Sequence, residues 1–281
     1  MIQWYPGHMA KALREVSEKI KLVDVVVIVL DARVPMSSLN PEIVKLVNNK
    51  RVLIVLNKKD KADPNQSAFW KKHYEDKNYQ AIIINSKDNK DIKKLLSSIK
   101  DLMAEKRKKD ALKGLKPRPI KTMIIGIPNA GKSTIINGLV NKKVASIGDK
   151  PGVTKSQQWI RINQDLELLD TPGILWPKFE NQEIASNLAV TGAIKDEIVD
   201  VYELVKYALN FYKIYYPQEL INRYNVKEDN NVEEIIEVIA KTNHLYNVDK
   251  TIDFDRVALL VLNDIRSGRL GKITLDRYSN E

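Results

Sequence analysis

Gly126-Ile127-Pro128-Asn129-Ala130-Gly131-Lys132-Ser133 is the stretch that decides the fold of this 281-residue chain. It follows the apolar run Met123-Ile124-Ile125 and opens a stretch of small and apolar residues that is typical of a helix. A strand, a glycine-rich turn and a helix in this order predict a phosphate-binding loop, because backbone N–H groups and the helix N-terminus then face the phosphates. We expect Lys132 to contact the β- and γ-phosphates and Ser133 to bind Mg²⁺. The residues predicted to bind phosphate here are Asn129, Ala130, Gly131, Lys132, Ser133 and Thr134.

A second motif, Asn57-Lys58-Lys59-Asp60, follows a predicted strand at 51–56. The carboxylate of Asp60 can accept hydrogen bonds from N1–H and the exocyclic amine of guanine, whereas adenine has no such pair of donors. The motif therefore predicts GTP and GDP as ligands, bound through Asn57, Lys58 and Asp60. A third segment, Asn85-Ser86-Lys87, follows another predicted strand, and we expect its backbone N–H groups to pack over the edge of the base.

The order of these motifs along the chain is unusual. Asp170-Thr171-Pro172-Gly173 comes after the phosphate-binding loop, as GTP-binding domains require, but the base-reading motif normally follows both. This order indicates a circularly permuted domain, cut open and rejoined elsewhere. We expect Asp170 to reach Mg²⁺ through a water, Gly173 to contact the γ-phosphate, and Thr154, on the intervening loop, to be a second Mg²⁺ ligand.

The residue that usually orients the attacking water in GTP hydrolysis is replaced in this sequence. Ras-like proteins place a water-orienting glutamine directly after Asp-x-x-Gly, and Ile174 stands there in this chain. Either hydrolysis is slow or another group orients the water; His8 is a candidate catalytic residue, with a structural role as the alternative. Asn129 is a candidate ligand for K⁺, which would stabilise charge near the phosphates, and the alternative is an amide that stabilises the loop.

Composition narrows the choice of partners. The net charge is +10, and 26 basic and 14 acidic side chains lie in residues 1–118, against 13 and 18 in residues 177–281. The positive electrostatic field of residues 1–118 favours a polyanionic partner such as RNA. The alternative is a solvated lysine-rich surface, which would have the same charge composition. The chain has no cysteine, no apolar run long enough to span a bilayer, and no signal-peptide pattern at its start, so we expect a cytoplasmic protein without a membrane partner.

Alternating strand and helix patterns predict an α/β fold with a mostly parallel sheet covered by helices on both faces. Strands are predicted at 23–30, 51–56, 80–84, 121–126, 159–163 and 166–169, and helices at 8–21, 41–49, 64–76, 91–106 and 132–140. Residues 106–119 are predicted to be a connector. Helices are predicted beyond that at 182–194, 201–215, 232–241 and 254–266. We therefore expect a GTPase domain at 1–176 and an all-α domain at 177–281.

Helix ends and core positions can also be predicted in the second half. Asn231 with Glu234 has the spacing of a capping box, and Asp253 and Gly268 are expected to cap the last helix at its two ends. Four residues fall at helical spacing and are predicted to be core residues rather than a base-stacking platform. They are Tyr207, Phe211, Ile214 and Tyr215.

Over essentially its full length, the chain resembles circularly permuted GTPases of the YlqF/RbgA type, the ribosome biogenesis GTPase A family. The motif order, the opening WYPGHMAKA (4–12) and the closing GRLGKITLD (268–276) carry the resemblance. It implies a P-loop GTPase that acts late in assembly of the bacterial large ribosomal subunit, with rRNA and ribosomal proteins as partners. It also implies that Ile174 replaces the catalytic glutamine and that the C-terminal helices contact RNA.

Several expectations follow from this resemblance and from the charge pattern. A basic patch for RNA could come from Arg266, Arg269, Lys272 and Arg277. The protein is expected to be a monomer whose slow hydrolysis is stimulated by the ribosomal partner. Because the chain runs from Gly173 through Trp176-Pro177 into the helices, GTP could orient them. The alternatives are a GTP-gated RNA-modification factor and a nucleotide-binding scaffold without hydrolysis.

Overall fold

The apolar, β-branched runs of the sequence form one six-stranded sheet. The computed structural model describes residues 6–140, 159–169 and 181–278, and for residues 6–12 the backbone alone. The strands are β1 (Val25–Asp31), β2 (Arg51–Asn57), β3 (Gln80–Ile83), β4 (Ile120–Gly126), β5 (Trp159–Arg161) and β6 (Leu166–Leu169). Their order is β3-β2-β1-β4-β6-β5, and all described pairs are parallel except β5 with β6. The predicted α/β class is confirmed.

Ten α-helices accompany the sheet in the described part of the chain. Those before residue 140 are α1 (Pro6–Ile20), α2 (Pro41–Leu46), α3 (Pro64–Asp76), α4 (Asn89–Leu112) and α5 (Lys132–Leu139). Those after residue 181 are α6 (Gln182–Val190), α7 (Val201–Tyr215), α8 (Pro217–Tyr224), α9 (Val232–Thr242) and α10 (Phe254–Ser267). Among the described residues, none of these helices has the length and apolar character needed to cross a membrane.

Helices cover both faces of the sheet. Because side chains alternate along a strand, β1 sends Val26 and Ile28 to one face and Val27 and Val29 to the other, and all four are buried. The first face packs on α1 and α3. The second packs on α4 and α5, and the same hydrophobic cluster continues into the C-terminal helices. The predicted domain boundary at 176 lies outside the described residues and stays a prediction.

Two predictions about helices need correction. Helix α4 continues to Leu112, so the first half of the predicted connector is helical, and residues 115–119, which form no helix or strand, complete the connection to β4. The lysine, arginine and alanine of this stretch are good helix formers, which explains the extension. Helix α8 was not predicted, because its eight residues bury few apolar side chains, Leu220 and Tyr224 being the fully buried ones.

The core prediction for α7 is wrong for two of its four residues. Ile214 is 70% exposed and Tyr215 is 46% exposed, whereas Tyr207 and Phe211 are partly buried. The buried face of this helix is offset from the predicted one by about one residue. It consists of Leu204, Val205, Ala208, Leu209 and Tyr212.

The chain returns to the sheet after α10. We call residues 273–276 the C-terminal strap. Its Leu275 N–H donates to the carbonyl of Arg33 at 2.7 Å, and the Asp276 carboxylate accepts from the backbone and hydroxyl of Ser37 at 2.7 and 2.5 Å. The indole of Trp70 donates to the Asp276 carbonyl at 2.9 Å. The strap is therefore held by loops and helices from the front of the chain.

Candidate nucleotide cleft

The phosphate-binding loop joins β4 to α5, as the sequence predicts. Gly126 ends β4, and a Cβ on this residue would collide with the carbonyl of Val29, so only glycine fits here. Gly131 caps the start of α5 with a φ of +99°, and Asn129 has a φ of +58°. These left-handed residues turn the backbone into the loop that opens α5, where phosphates would meet the helix N-terminus.

Lys132 opens α5 and folds back over the loop. Its Nζ donates to the carbonyl oxygen of Ile127 at 2.7 Å. Burial lowers the pKa of Lys132 to about 8, because a half-buried ammonium loses hydration. The charge has a hydrogen-bond acceptor here but no carboxylate partner among the described residues. A bound polyphosphate would supply the missing negative charge.

Asn57 holds the three predicted nucleotide motifs together. It is fully buried at the end of β2. Its Nδ2 donates to the carbonyl of Ala130 at 2.7 Å, and its Oδ1 accepts from the N–H of Ser86 at 3.0 Å. A Cβ on Gly131 would collide with the same amide nitrogen. Segments far apart in sequence are thus fixed to one another by a single side chain.

Asp60 and Lys132 line the same cleft, of about 270 Å³, although the order of their motifs is inverted in sequence. The cleft lies at the edge where the parallel strands end, which is where open α/β sheets bind ligands. Its lining comes from all three motifs and from the adjacent Lys61. The residues are Asn57, Lys58, Asp60, Lys61, Asn85, Ser86, Lys87, Asn129, Gly131, Lys132, Ser133 and Thr134. The predicted Ala130 is buried directly behind them.

The sequence did not reveal a buried ion network that supports residues 57–61, which we call the base-reading loop. Asp31 accepts from Nε and Nη2 of Arg33 at 3.0 and 2.7 Å and from Nζ of Lys58 at 2.8 Å. Burial alone would raise the pKa of Asp31, but the two cations outweigh it and hold this pKa well below its usual range. Lys58 has a φ of +66°, so the network fixes a backbone conformation that lysine rarely adopts.

Most of the other predicted site residues lie outside the part of the chain that the structure describes. Thr154, Asp170 and Gly173, with Ile174, lie outside the described residues. His8 lies in α1, where the backbone alone is described. Of the predicted Mg²⁺ ligands, Ser133 is exposed and lines the cleft. A hydroxyl beside a phosphate-binding lysine fits Mg²⁺, which takes few protein ligands and shares phosphate oxygens.

The four candidate RNA-binding residues differ in their surroundings. The guanidinium of Arg266 is engaged by Asp196 at 2.6 and 2.8 Å and by two backbone carbonyls. Arg277 donates to Tyr216 and lies 3.6 Å from Asp63. Arg269 is more exposed, beside Asp264, and Lys272 is exposed. The RNA contact stays a prediction, and it falls mainly on Arg269 and Lys272.

Comparison with known proteins agrees with this geometry. The profile of the family described as "RsgA GTPase" matches residues 12–180, and that of "50S ribosome-binding GTPase" matches residues 121–252. The crystal structure of GNP-bound YlqF from T. maritima covers 95% of this chain and 98% of its own, with a TM-score of 0.67 at 23% identity, which supports the fold.

Curated relatives are similar over nearly the whole chain. "Ribosome biogenesis GTPase A" of Bacillus cereus is 46% identical over 98% of this chain and 94% of its own length. The protein of that name from Priestia megaterium is 47% identical over 98% and 96%. GTPases of this kind use Mg²⁺. The chain belongs to the ribosome biogenesis GTPase A family and is a GTPase.

Proposed function

We propose that this GTPase binds the precursor of the large ribosomal subunit in a nucleotide-dependent way and promotes its late maturation. The observation that carries the proposal is the single cleft in which the base-reading loop and the phosphate-binding loop meet. The family profile described as "50S ribosome-binding GTPase" supports the large subunit as the partner. The excess of basic side chains in residues 1–118 suits rRNA.

Each end of the cleft has a proposed role in binding GTP. Asp60 would select guanine, with Lys58 and the segment Asn85-Ser86-Lys87 around the base. Lys132 would exchange the carbonyl of Ile127 for phosphate oxygens, because a charged acceptor is the stronger partner for a buried ammonium. Mg²⁺, when bound, neutralises phosphate charge, and Ser133 would hold it together with Thr154 and Asp170.

The residues proposed for the hydrolytic step are Gly173, which would contact the γ-phosphate, and His8, which would orient water in place of the missing glutamine. Asn129 is proposed as a K⁺ ligand. Its Nδ2 donates to the carbonyl of Gly192 at 2.6 Å, which leaves Oδ1 as an oxygen ligand. Turnover measured in K⁺ and in Na⁺, with and without ribosomal subunits, tests the cation and the predicted stimulation.

Co-sedimentation with purified large-subunit precursors tests the central part of the proposal. We expect at least about tenfold tighter association with a non-hydrolysable GTP analogue than with GDP, because a ligand shifts only states that it distinguishes. Lys132→Ala should lose the difference, since its phosphate contact is gone. Equal association in both nucleotide states would contradict a nucleotide-dependent assembly factor.

A further inference from the structure

Two helices of the C-terminal half end beside the nucleotide cleft, and a cleft residue donates a hydrogen bond at or just past the end of each. A helix leaves its last carbonyl groups without partners inside the helix, so these oxygens need donors from elsewhere. Asn129, from the phosphate-binding loop, donates to the carbonyl of Gly192 in the turn that directly follows α6. At the end of α10 the donor is Lys61, which directly follows Asp60 in the base-reading loop.

At the end of α6, side chains from three other parts of the chain donate to backbone carbonyls. Arg266 donates to the carbonyls of Ala189 and Val190 at 2.8 and 3.1 Å, and Arg33 donates to that of Thr191 at 3.3 Å. Asn129 donates to the next carbonyl along the chain, that of Gly192, at 2.6 Å. Gly192 has a φ of +80°, and a Cβ there would lie 3.2 Å from Nε of Arg266. The turn therefore fits closely beneath its donors.

At the end of α10, Lys61 supplies the cap. Its Nζ donates to the carbonyl oxygen of Arg266 at 2.6 Å. A cation at this position also complements the negative end of the helix dipole. The backbone carbonyl of Lys61 accepts from the N–H of Ile273 in the C-terminal strap at 3.0 Å. Gly268 follows α10 with a φ of +84°, and a Cβ on it would lie 3.3 Å from Cγ of Lys61.

Arg266 joins the two capped ends into one unit. Its guanidinium holds the end of α6, while its own carbonyl accepts the ammonium of Lys61. Lys61 and Asn129 both line the cleft. A continuous set of hydrogen bonds thus runs from the phosphate-binding loop through α6 and α10 back to the base-reading loop, without passing through residues 170–180.

We propose that Lys61 and Asn129 couple nucleotide occupancy of the cleft to the ends of α6 and α10, with Lys61 as a positioning residue that holds the base-reading loop against α10. Because coupling free energy is reciprocal, nucleotide binding stabilises the capped ends, and the caps strengthen nucleotide binding. The proposal requires guanine nucleotide in the cleft and no ribosomal partner, so its failure would leave the proposed ribosome binding untouched.

Hydrogen exchange of the full chain with and without GDP tests the coupling. The amides of Gly268 and Leu270, bonded to carbonyls of α10, report one end, and those of Gly192 and Ala193 report the other. We expect GDP to slow exchange at both ends in the unmodified protein. Lys61→Met should remove the slowing at α10 and raise the Kd for GDP by about 5- to 20-fold.

Control variants separate coupling from a general loss of structure. Lys61→Arg keeps a cation on a long stem and should retain most of the effect, whereas Lys72→Met removes an exposed charge on α3 and should change nothing. If Lys61→Met does not fold, Gly268→Asn tolerates the left-handed backbone but crowds Lys61, and should weaken the same protection. Unaltered GDP affinity and protection in Lys61→Met, or in its substitute, would overturn the proposal.

Discussion

The conformation of the base-reading loop depends on a largely buried ion network, which consists of Asp31, Arg33 and Lys58. Asp31 ends a strand whose apolar run is evident in the sequence, but nothing in the spacing of the three residues indicates a network. They meet because β1 and β2 pair in register, with Asp31 opposite Asn57, next to Lys58. Polar partners that depend on strand register are found only once the fold is known.

Removing Arg33 should destabilise the fold strongly. Arg33→Met leaves Asp31 buried with Lys58 as its remaining cation, and breaking a buried ion pair costs about 3–5 kcal/mol. Urea unfolding would measure the loss. The double variant Asp31→Asn with Arg33→Met should recover part of it, because the fully buried position 31 is then neutral, although Lys58, which is partly exposed, loses its carboxylate partner. A single variant within about 1 kcal/mol of the parent would contradict this role.

Lys132 is the site residue that the sequence predicts most securely, because the surrounding loop leaves few other uses for it. Lys132→Ala should reduce GTP turnover at least about 100-fold, since the phosphates lose their buried cation. A single-turnover assay, with enzyme in saturating excess over GTP, measures the chemical step apart from binding. The exposed Lys72→Met is the matched control, and turnover retained in Lys132→Ala would assign phosphate contact to another group.

At the scale of elements, the sequence predicts most strands and caps. Asn231 and Glu234 form the expected capping box, and Asp253 and Gly268 cap α10 as expected. Local hydrogen bonds decide these features, so local sequence reveals them. The C-terminal strap could not be predicted, because its partners Ser37 and Trp70 lie more than 200 residues earlier.

Asp276 in this strap should make stability depend on pH. Burial raises its pKa to about 6, although Ser37 and Asn187 donate to it. The folded state therefore binds the carboxyl proton of Asp276 more tightly than the unfolded state does, because the pKa of Asp276 in the unfolded chain is 3.8. The contribution of Asp276 is complete below about pH 4 and is lost as the pH rises through 6, a fall of up to about 3 kcal/mol.

Urea unfolding of the parent and of Asp276→Asn between pH 4 and pH 7 would measure this contribution. The asparagine stays neutral, so the stability of the parent relative to the variant should decline across the interval. Other carboxylates, such as Asp24, have a lowered pKa in the folded state, so their contribution to stability decreases as the pH falls. This contribution is the same in the parent and in the variant. Parallel pH profiles would show that Asp276 titrates normally.

At the scale of the whole molecule, the parallel sheet explains why the base-reading and phosphate-binding motifs meet in one cleft although their order along the chain is inverted. Strands β1, β2 and β4 are parallel neighbours or next neighbours, so their carboxyl ends meet at one edge whatever their order along the chain. The motif order predicted this convergence. The caps on α6 and α10 were not predictable, because they depend on how the C-terminal helices pack against that edge.

Nucleotide binding by Asp60→Asn tests most directly whether this cleft reads guanine with Asp60. Xanthine keeps N1–H but has a carbonyl in place of the exocyclic amine of guanine, so an asparagine can accept from the first and donate to the second. We predict that the parent binds GDP at least about 100-fold more tightly than xanthosine diphosphate, and that Asp60→Asn reverses the preference. An unchanged preference for GDP in the variant would contradict the assignment of the cleft.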